Sequence, residues 1–99
     1  MLKEPIFSGD SADWSSSYSP AVAVSAGKTS FISGQVALDL DGNVVGRGDV
    51  VAQARKIFEN IGVILKKAGA DFGNIVKTNY YITDASEFSK VASLRTEYF

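Results

Sequence analysis

The sequence predicts one α+β (mixed α/β) domain, a sheet packed against two helices, and three observations predict it. Runs rich in β-branched and aromatic residues at 21–25, 30–38 and 75–82 read as strands. Apolar residues recur at three- and four-residue spacing after Asp49 and again after Asp84, the period of a helix with one buried face. Finally, 99 residues, of which 45% are hydrophobic and 21% charged, are enough for a single core and too few for a second.

Taken in order, residues 1–17 are expected to be an irregular lead-in. Residues 8–19 hold six serines together with Gly9, Asp10 and Asp13, whose short side chains compete with the backbone for hydrogen bonds, and Trp14 and Tyr18 supply aromatic anchors. Ala21–Ser25 and Ser30–Leu38 are separated by Ala26-Gly27-Lys28, which predicts a hairpin. A second turn is expected at Asp41-Gly42-Asn43, leading into Val44-Val45.

Asp49 stands in capping position for the first helix, whose stripe is Val51, Ala54, Ile57, Phe58, Ile61, Ile64, Leu65 and Ala68, and this stripe is expected to bury against the sheet. Lys66 and Lys67 suit the negative end of the helix dipole, and Gly69 supplies a left-handed exit. Gly62 costs about 1 kcal/mol against alanine inside a helix, so its presence predicts close approach to a neighbouring element. Ile75–Ile82 then reads as a central strand, completing a β-α-β unit with right-handed crossover. From Asp84 or Ser86 a second helix carries Phe88, Val91, Leu94 or Arg95, and Tyr98 on one face.

Composition removes several function classes. With no cysteine and no histidine there is no disulfide framework, no zinc site of the usual type, no cysteine nucleophile and no Ser-His-Asp arrangement. Seven lysines and three arginines are scattered among eleven acids, giving a net charge of −1, so no positive field gathers nucleic acid or anionic lipid. Met1-Leu2-Lys3-Glu4-Pro5-Ile6-Phe7 has neither the charge nor the apolar run of a signal sequence, and the expected address is the cytoplasm, away from membranes.

Several local motifs have structural explanations. Arg47-Gly48-Asp49 is read as a helix cap rather than an integrin-type tripeptide. Gly46-x-Gly48 lacks the third glycine and the Lys-Ser/Thr of a phosphate loop. Asp39-x-Asp41-Gly42-Asn43 is read as a hairpin turn, because a calcium loop would need its glycine later and a closing glutamate. Lys77, Thr78 and Asn79 either face solvent, the preferred reading, or line a site; of Tyr80 and Tyr81, on opposite faces, one is core and the other is a candidate for lining a ligand cleft or a subunit contact. Ser33-Gly34-Gln35 closes an apolar strand, where the glycine either marks a bulge or opens a backbone N–H beside the serine hydroxyl to a ligand.

Tyr18-Ser19-Pro20-Ala21-Val22, Phe31-Ile32-Ser33-Gly34-Gln35, Asp41-Gly42-Asn43-Val44-Val45-Gly46, Gln53-Ala54-Arg55 with Glu59-Asn60-Ile61, Ala68-Gly69-Ala70, Val76-Lys77-Thr78 and Ile82-Thr83-Asp84 follow one another with a spacing that resembles the RidA (YjgF-like) imine deaminase family across residues 18–99. The resemblance implies a chorismate-mutase-like fold and a homotrimer with clefts between subunits. It implies hydrolysis of reactive 2-imino and enamino acids to 2-keto acids and ammonia, with no cofactor and no metal. It carries substrate-binding roles over to Tyr18, Ser33 and Gly34.

Two further residues of the family, an arginine that grips the substrate carboxylate and a glutamate that positions water, lie in strands after the second helix, and neither has a counterpart here; Arg47, Arg55 and Arg95 are not at matching positions, and no residue is assigned a catalytic role. Glu97-Tyr98-Phe99 stops in mid-pattern, so the expectation is a chain lacking the C-terminal strands, through truncation, a gene cut short, or completion by another copy. In the family the final strand lies within the sheet and completes its pairing. The functional alternative is a non-catalytic trimeric small-ligand-binding or regulatory protein of the same fold. Older family labels of endoribonuclease or translation inhibitor imply RNA, against which the balanced charge argues.

Overall fold

The computed structural model describes residues 3–6, 21–24 and 27–99, which fall into two compact units, Met1–Ser30 and Phe31–Phe99. In the first unit, β1 (Lys3–Ile6) pairs antiparallel with β2 (Ala21–Val24) in the register Lys3↔Val24 to Ile6↔Ala21. Part of the expected irregular lead-in is therefore a strand, with β2 as its partner. Pro5 donates nothing to the ladder, a loss that an edge strand tolerates. The remainder of residues 1–17 and the turn residues Ser25 and Ala26 lie outside the described residues.

The second unit is built around α1 (Val50–Lys67). Asp49 caps it as expected: the backbone there is extended, and Oδ1 accepts from the N–H groups of Val51 and Ala52, both at 3.1 Å. Lys66 and Lys67 occupy the last turn, and Gly69 leaves it at φ +73°. The turn before the cap is tight. Gly46 sits at φ +76°, and a Cβ built there would fall 2.8 Å from that of Ala52.

Residues 37–45 form a narrow turn as predicted. Val45 N donates to Ala37 O, Asp39 N donates to Asn43 O, and Leu38 and Val44 are bridged. The side chain of Asn60 donates to Leu38 O at 3.1 Å and ties this turn to α1. After α1, a 3₁₀ turn at Phe72–Asn74 is closed by a capping box between Asp71 and Asn74. A second 3₁₀ turn, Ala85–Glu87, is capped by Asp84 and leads into α2 (Phe88–Arg95).

Most of the expected stripe faces inward, with Ala54, Phe58 and Leu65 buried and Val51, Ile57, Ile61 and Ile64 half-buried, but Ala68 is exposed at the C-cap and what the stripe packs against differs. Ala54 and Phe58 of α1 are buried with Val91 and Leu94 of α2, and Phe72, Tyr80, Ile82 and Tyr98 close around them. Tyr98 and Phe99 both lie against Phe58 and Phe72, with ring centroids 5.0 to 5.8 Å apart. Gly62 faces the ring of Phe72, where a Cβ would stand 3.3 Å from Cε2, the close approach that its place in a helix predicted.

The strands expected at 30–38 and 75–82 carry no ladder among the described residues; Leu38 alone makes a bridge. Strand propensity favours a backbone that fits a pleated surface, whereas a ladder also needs a neighbour whose N–H and C=O groups face it. No described segment supplies that neighbour, so among the described residues these segments form no hydrogen-bonded β-α-β sheet.

Candidate functional site

Of the three residues to which substrate binding was carried over, Ser33 and Gly34 are exposed and Tyr18 lies outside the described residues. Gln35 folds back over the pair, its Nε2 donating to Ser33 O at 3.1 Å. Gly34 is not at positive φ, and a Cβ built on it meets nothing within 4 Å. Neither conformation nor packing therefore requires glycine at 34. Among the described residues no ladder reaches this point, and the main chain of Gly34 is exposed beside Ser33. Such a pair can orient a small polar group through one hydroxyl and one N–H.

The arginines of the two helices are committed elsewhere. Arg55 donates from Nη2 to Glu97 Oε2 at 3.0 Å and from Nη1 to the Tyr98 hydroxyl at 3.3 Å. These two hydrogen bonds, with the charge of Glu97, raise its pKa above the ordinary guanidinium value. Arg95 lies over the ring of Phe99, its Cζ 5.0 Å from the centroid. Arg47 is exposed in the turn before α1.

The Asp39 turn has no cation-binding geometry. Asp39 Oδ1 accepts from the main-chain N–H groups of Asp41 and Asn43, both at 2.9 Å, so it faces donors where a calcium loop would face the ion. Lys77, Thr78 and Asn79 are exposed, the preferred reading, and Tyr80 is half-buried while Tyr81 points outward.

A concave site that the sequence did not reveal lies elsewhere in this unit. The start of α1, residues 80–83 and the start of α2 enclose a cavity of ≈ 360 Å³, lined among others by Gln53, Phe58, Tyr80, Ile82, Phe88 and Val91. Neither Ser33 nor Gly34 lines it. The Tyr80 hydroxyl is enclosed with no hydrogen-bond partner among the described residues. Because three segments far apart in sequence make this cavity, no local motif could have signalled it. Two acids near it are already engaged: Asp49 caps α1, and Glu87 lies 3.7 Å from Lys90.

Comparison with known proteins gives this geometry its context. The family model described as Endoribonuclease L-PSP matches residues 10–99. The chain is 37% identical to Protein DfrA of Myxococcus xanthus over 99 residues, all of this chain and 76% of that protein. It is 43% identical over 82 residues to the 2-iminobutanoate/2-iminopropanoate deaminase of Mus musculus, a match that covers 83% of this chain and 59% of the deaminase. A solved structure of the conserved Rid protein family, YyfB from Yersinia pestis, superposes with a TM-score of 0.78 at 25% identity, over 95% of this chain and 73% of that one. The backbone thus follows the path of a Rid protein even where its strands carry no ladder, and the chain belongs to the RidA (YjgF-like) family, the family of Endoribonuclease L-PSP.

Proposed function

We propose that this chain is a deaminase unit that binds reactive 2-imino and enamino acids and serves their hydrolysis to 2-keto acids and ammonia. The observation that carries the reading is the exposed Ser33-Gly34 pair, a hydroxyl next to an open main-chain amide. It occurs in a chain 43% identical over 82 residues to the mouse deaminase. The reaction adds water to the C=N carbon; the resulting carbinolamine transfers a proton to nitrogen, releases ammonia and leaves the keto group. It is a polar reaction that needs no redox partner. Gly34 N–H suits the carbinolamine oxygen, which gains negative charge as its proton passes to nitrogen before ammonia leaves, and Ser33 can donate to or accept from the substrate nitrogen or carboxylate. Tyr18 completes the substrate-binding set carried over from the family. The same reading takes residues 1–99 as one domain, a chorismate-mutase-like sheet packed against two helices, working as a homotrimer in the cytoplasm.

The engagement of Arg55 and Arg95 favours a second reading, a binding or regulatory protein of the same fold that holds 2-keto acids without turnover. A bidentate arginine–carboxylate contact contributes roughly 1.5 to 3 kcal/mol. Without it the Ser33-Gly34 pair alone binds weakly.

The test is ammonia release from freshly generated 2-iminobutanoate or 2-iminopropanoate, on protein whose intact mass has been measured. Turnover that falls at least tenfold in Ser33→Ala supports the deaminase. Binding of 2-oxobutanoate without ammonia release selects the second reading, and neither binding nor release removes both.

A further inference from the structure

The carbonyl of Ser33 and the N–H of Gly34 belong to one planar trans peptide group and point in opposite directions. Whatever holds the carbonyl therefore aims the N–H. Among the described residues one hydrogen bond reaches that group, the 3.1 Å contact in which Gln35 Nε2 donates to Ser33 O. Farther along, the chain is anchored at Ala37, which is buried and whose carbonyl accepts from Val45 N, and at Leu38, whose carbonyl accepts from Asn60. Ser33 and Gly34 lie before these anchors and are exposed, and a glycine has the widest choice of backbone angles. Gln35 is half-buried, and it is the one long polar side chain in Phe31–Leu38, a run otherwise made of apolar residues, serine and glycine.

We infer that Gln35 is a positioning residue for imine hydrolysis: its carboxamide fixes the Ser33–Gly34 peptide plane so that the Gly34 N–H faces the carbinolamine oxygen. The inference rests on the deaminase reading of Ser33 and Gly34. Two effects act in the same direction. A donor on the carbonyl restricts rotation of the peptide group, so the amide is in place before charge develops, and orientation in advance is what makes such a donor effective. A hydrogen bond to a carbonyl also polarises its peptide group and strengthens the N–H as a donor, by ~10–30% in condensed-phase chains. Gln35 itself touches no reacting atom in this arrangement. Glutamine is uncharged at every working pH, so its hold on Ser33 does not titrate.

That property supplies the test. Gln35→Glu keeps the length of the side chain and removes the donor while the carboxylate is ionised; once protonated, its O–H can donate to Ser33 O again. Gln35→Met keeps the length with no donor at any pH. Ammonia release from 2-iminobutanoate, corrected for hydrolysis without protein, is compared for parent and variants at pH ~7.5 and at pH ~5, the latter approaching the ordinary glutamate pKa of ~4.3. At pH ~7.5 both variants are expected to show kcat about tenfold below the parent with KM within about twofold, because aim toward a developing charge acts in the transition state. This is less than the ~10²–10³ lost when such a donor is removed outright. At pH ~5 Gln35→Glu is expected to regain at least about twofold relative to the parent, and Gln35→Met nothing. A merely structural role for Gln35 would lower helix content or the yield of folded protein and leave kcat per folded molecule and its pH ratio unmoved. The carbonyl carbon resonance of Ser33 gives a readout that needs no turnover: it is expected to move in both variants at pH ~7.5 and to return toward the parent position at pH ~5 only in Gln35→Glu. Parent turnover with kcat unchanged in both variants overturns the positioning role and leaves the deaminase reading standing. A parent that releases no ammonia fails the deaminase reading instead, and the Ser33 resonance alone then tests the hold of Gln35 on the peptide: movement in both variants supports it, and identical positions overturn it.

Discussion

The helical part of the unit Phe31–Phe99 and its two unpaired stretches come from equally clear sequence patterns and end in different states. In α1 every requirement is met within a few residues: the Asp49 cap, the stripe through Ala54 and Phe58, and the lysines of the last turn. In Phe31–Val36 and Val76–Ile82 the side chains are right for strands, yet the hydrogen bonds have to come from somewhere else in the fold. A helix carries its own partners and a strand borrows them. Local pattern is therefore sufficient evidence for the first and only half the evidence for the second.

Hydrogen exchange should show the contrast at its largest. At a concentration where the chain is monomeric, the amides in the middle of α1 are expected to exchange orders of magnitude more slowly than those of residues 31–35 and 76–82. Equal protection in the two regions would erase the distinction. Next in size is Phe58→Ala. Phe58 is 3% exposed and its ring meets those of Tyr98 and Phe99, so its removal should cost about 3 to 5 kcal/mol in urea denaturation, whereas Thr78→Ala, on an exposed stretch, should stay within roughly 0.5 kcal/mol. Comparable losses from the two would mean that the unpaired stretch contributes to the core after all.

Smaller still is the effect of the cap. Asp49→Ala removes the acceptor for two main-chain N–H groups and should cost about 1 kcal/mol, with Asp49→Asn recovering most of it. The smallest expected effect is a pH dependence at Asp84. Hydrogen bonds from the Ser86 hydroxyl, at 2.6 Å, and then from the Ser86 N–H hold its pKa below the ordinary aspartate value. A depressed folded pKa means that the contribution to stability is complete above the unfolded value, near pH ~4, and is lost as the pH falls through the folded one. Asp84→Ala should therefore lower stability slightly at neutral pH and flatten the acid limb, with the variant and the parent converging as the pH falls through the folded pKa. An identical acid limb in the variant would remove Asp84 from the account.

What could be read in the sequence follows the same division. The cap, the extent of α1, the turn at Asp41-Gly42-Asn43 and the approach of Gly62 to Phe72 were all legible, because each depends on the chemistry of a few neighbouring residues. The pairing of β1 with β2 was not, since nothing in Lys3–Ile6 names Ala21–Val24 as its partner. Ser33 and Gly34 could be singled out from their own chemistry, a hydroxyl beside a strand glycine, but that chemistry also fits a bulge, and their substrate-binding role came through family resemblance. The cavity beside Tyr80 was illegible for the reason that hid β1, as its walls come from three segments that meet only in the folded chain.

The turn at Gly46 has a consequence for how this sequence can change over time. A methyl group there meets the Cβ of Ala52 at 2.8 Å and the main-chain nitrogen of Gln53 at 3.0 Å, on a backbone whose φ already disfavours any side chain. Trimming Ala52 to glycine relieves the first clash, leaves the second and the backbone strain untouched, and weakens the first turn of α1 as well. No second-site change in this turn makes a substitution at 46 neutral. Drift among relatives should therefore pass around this glycine, varying Arg47 freely while position 46 stays as it is.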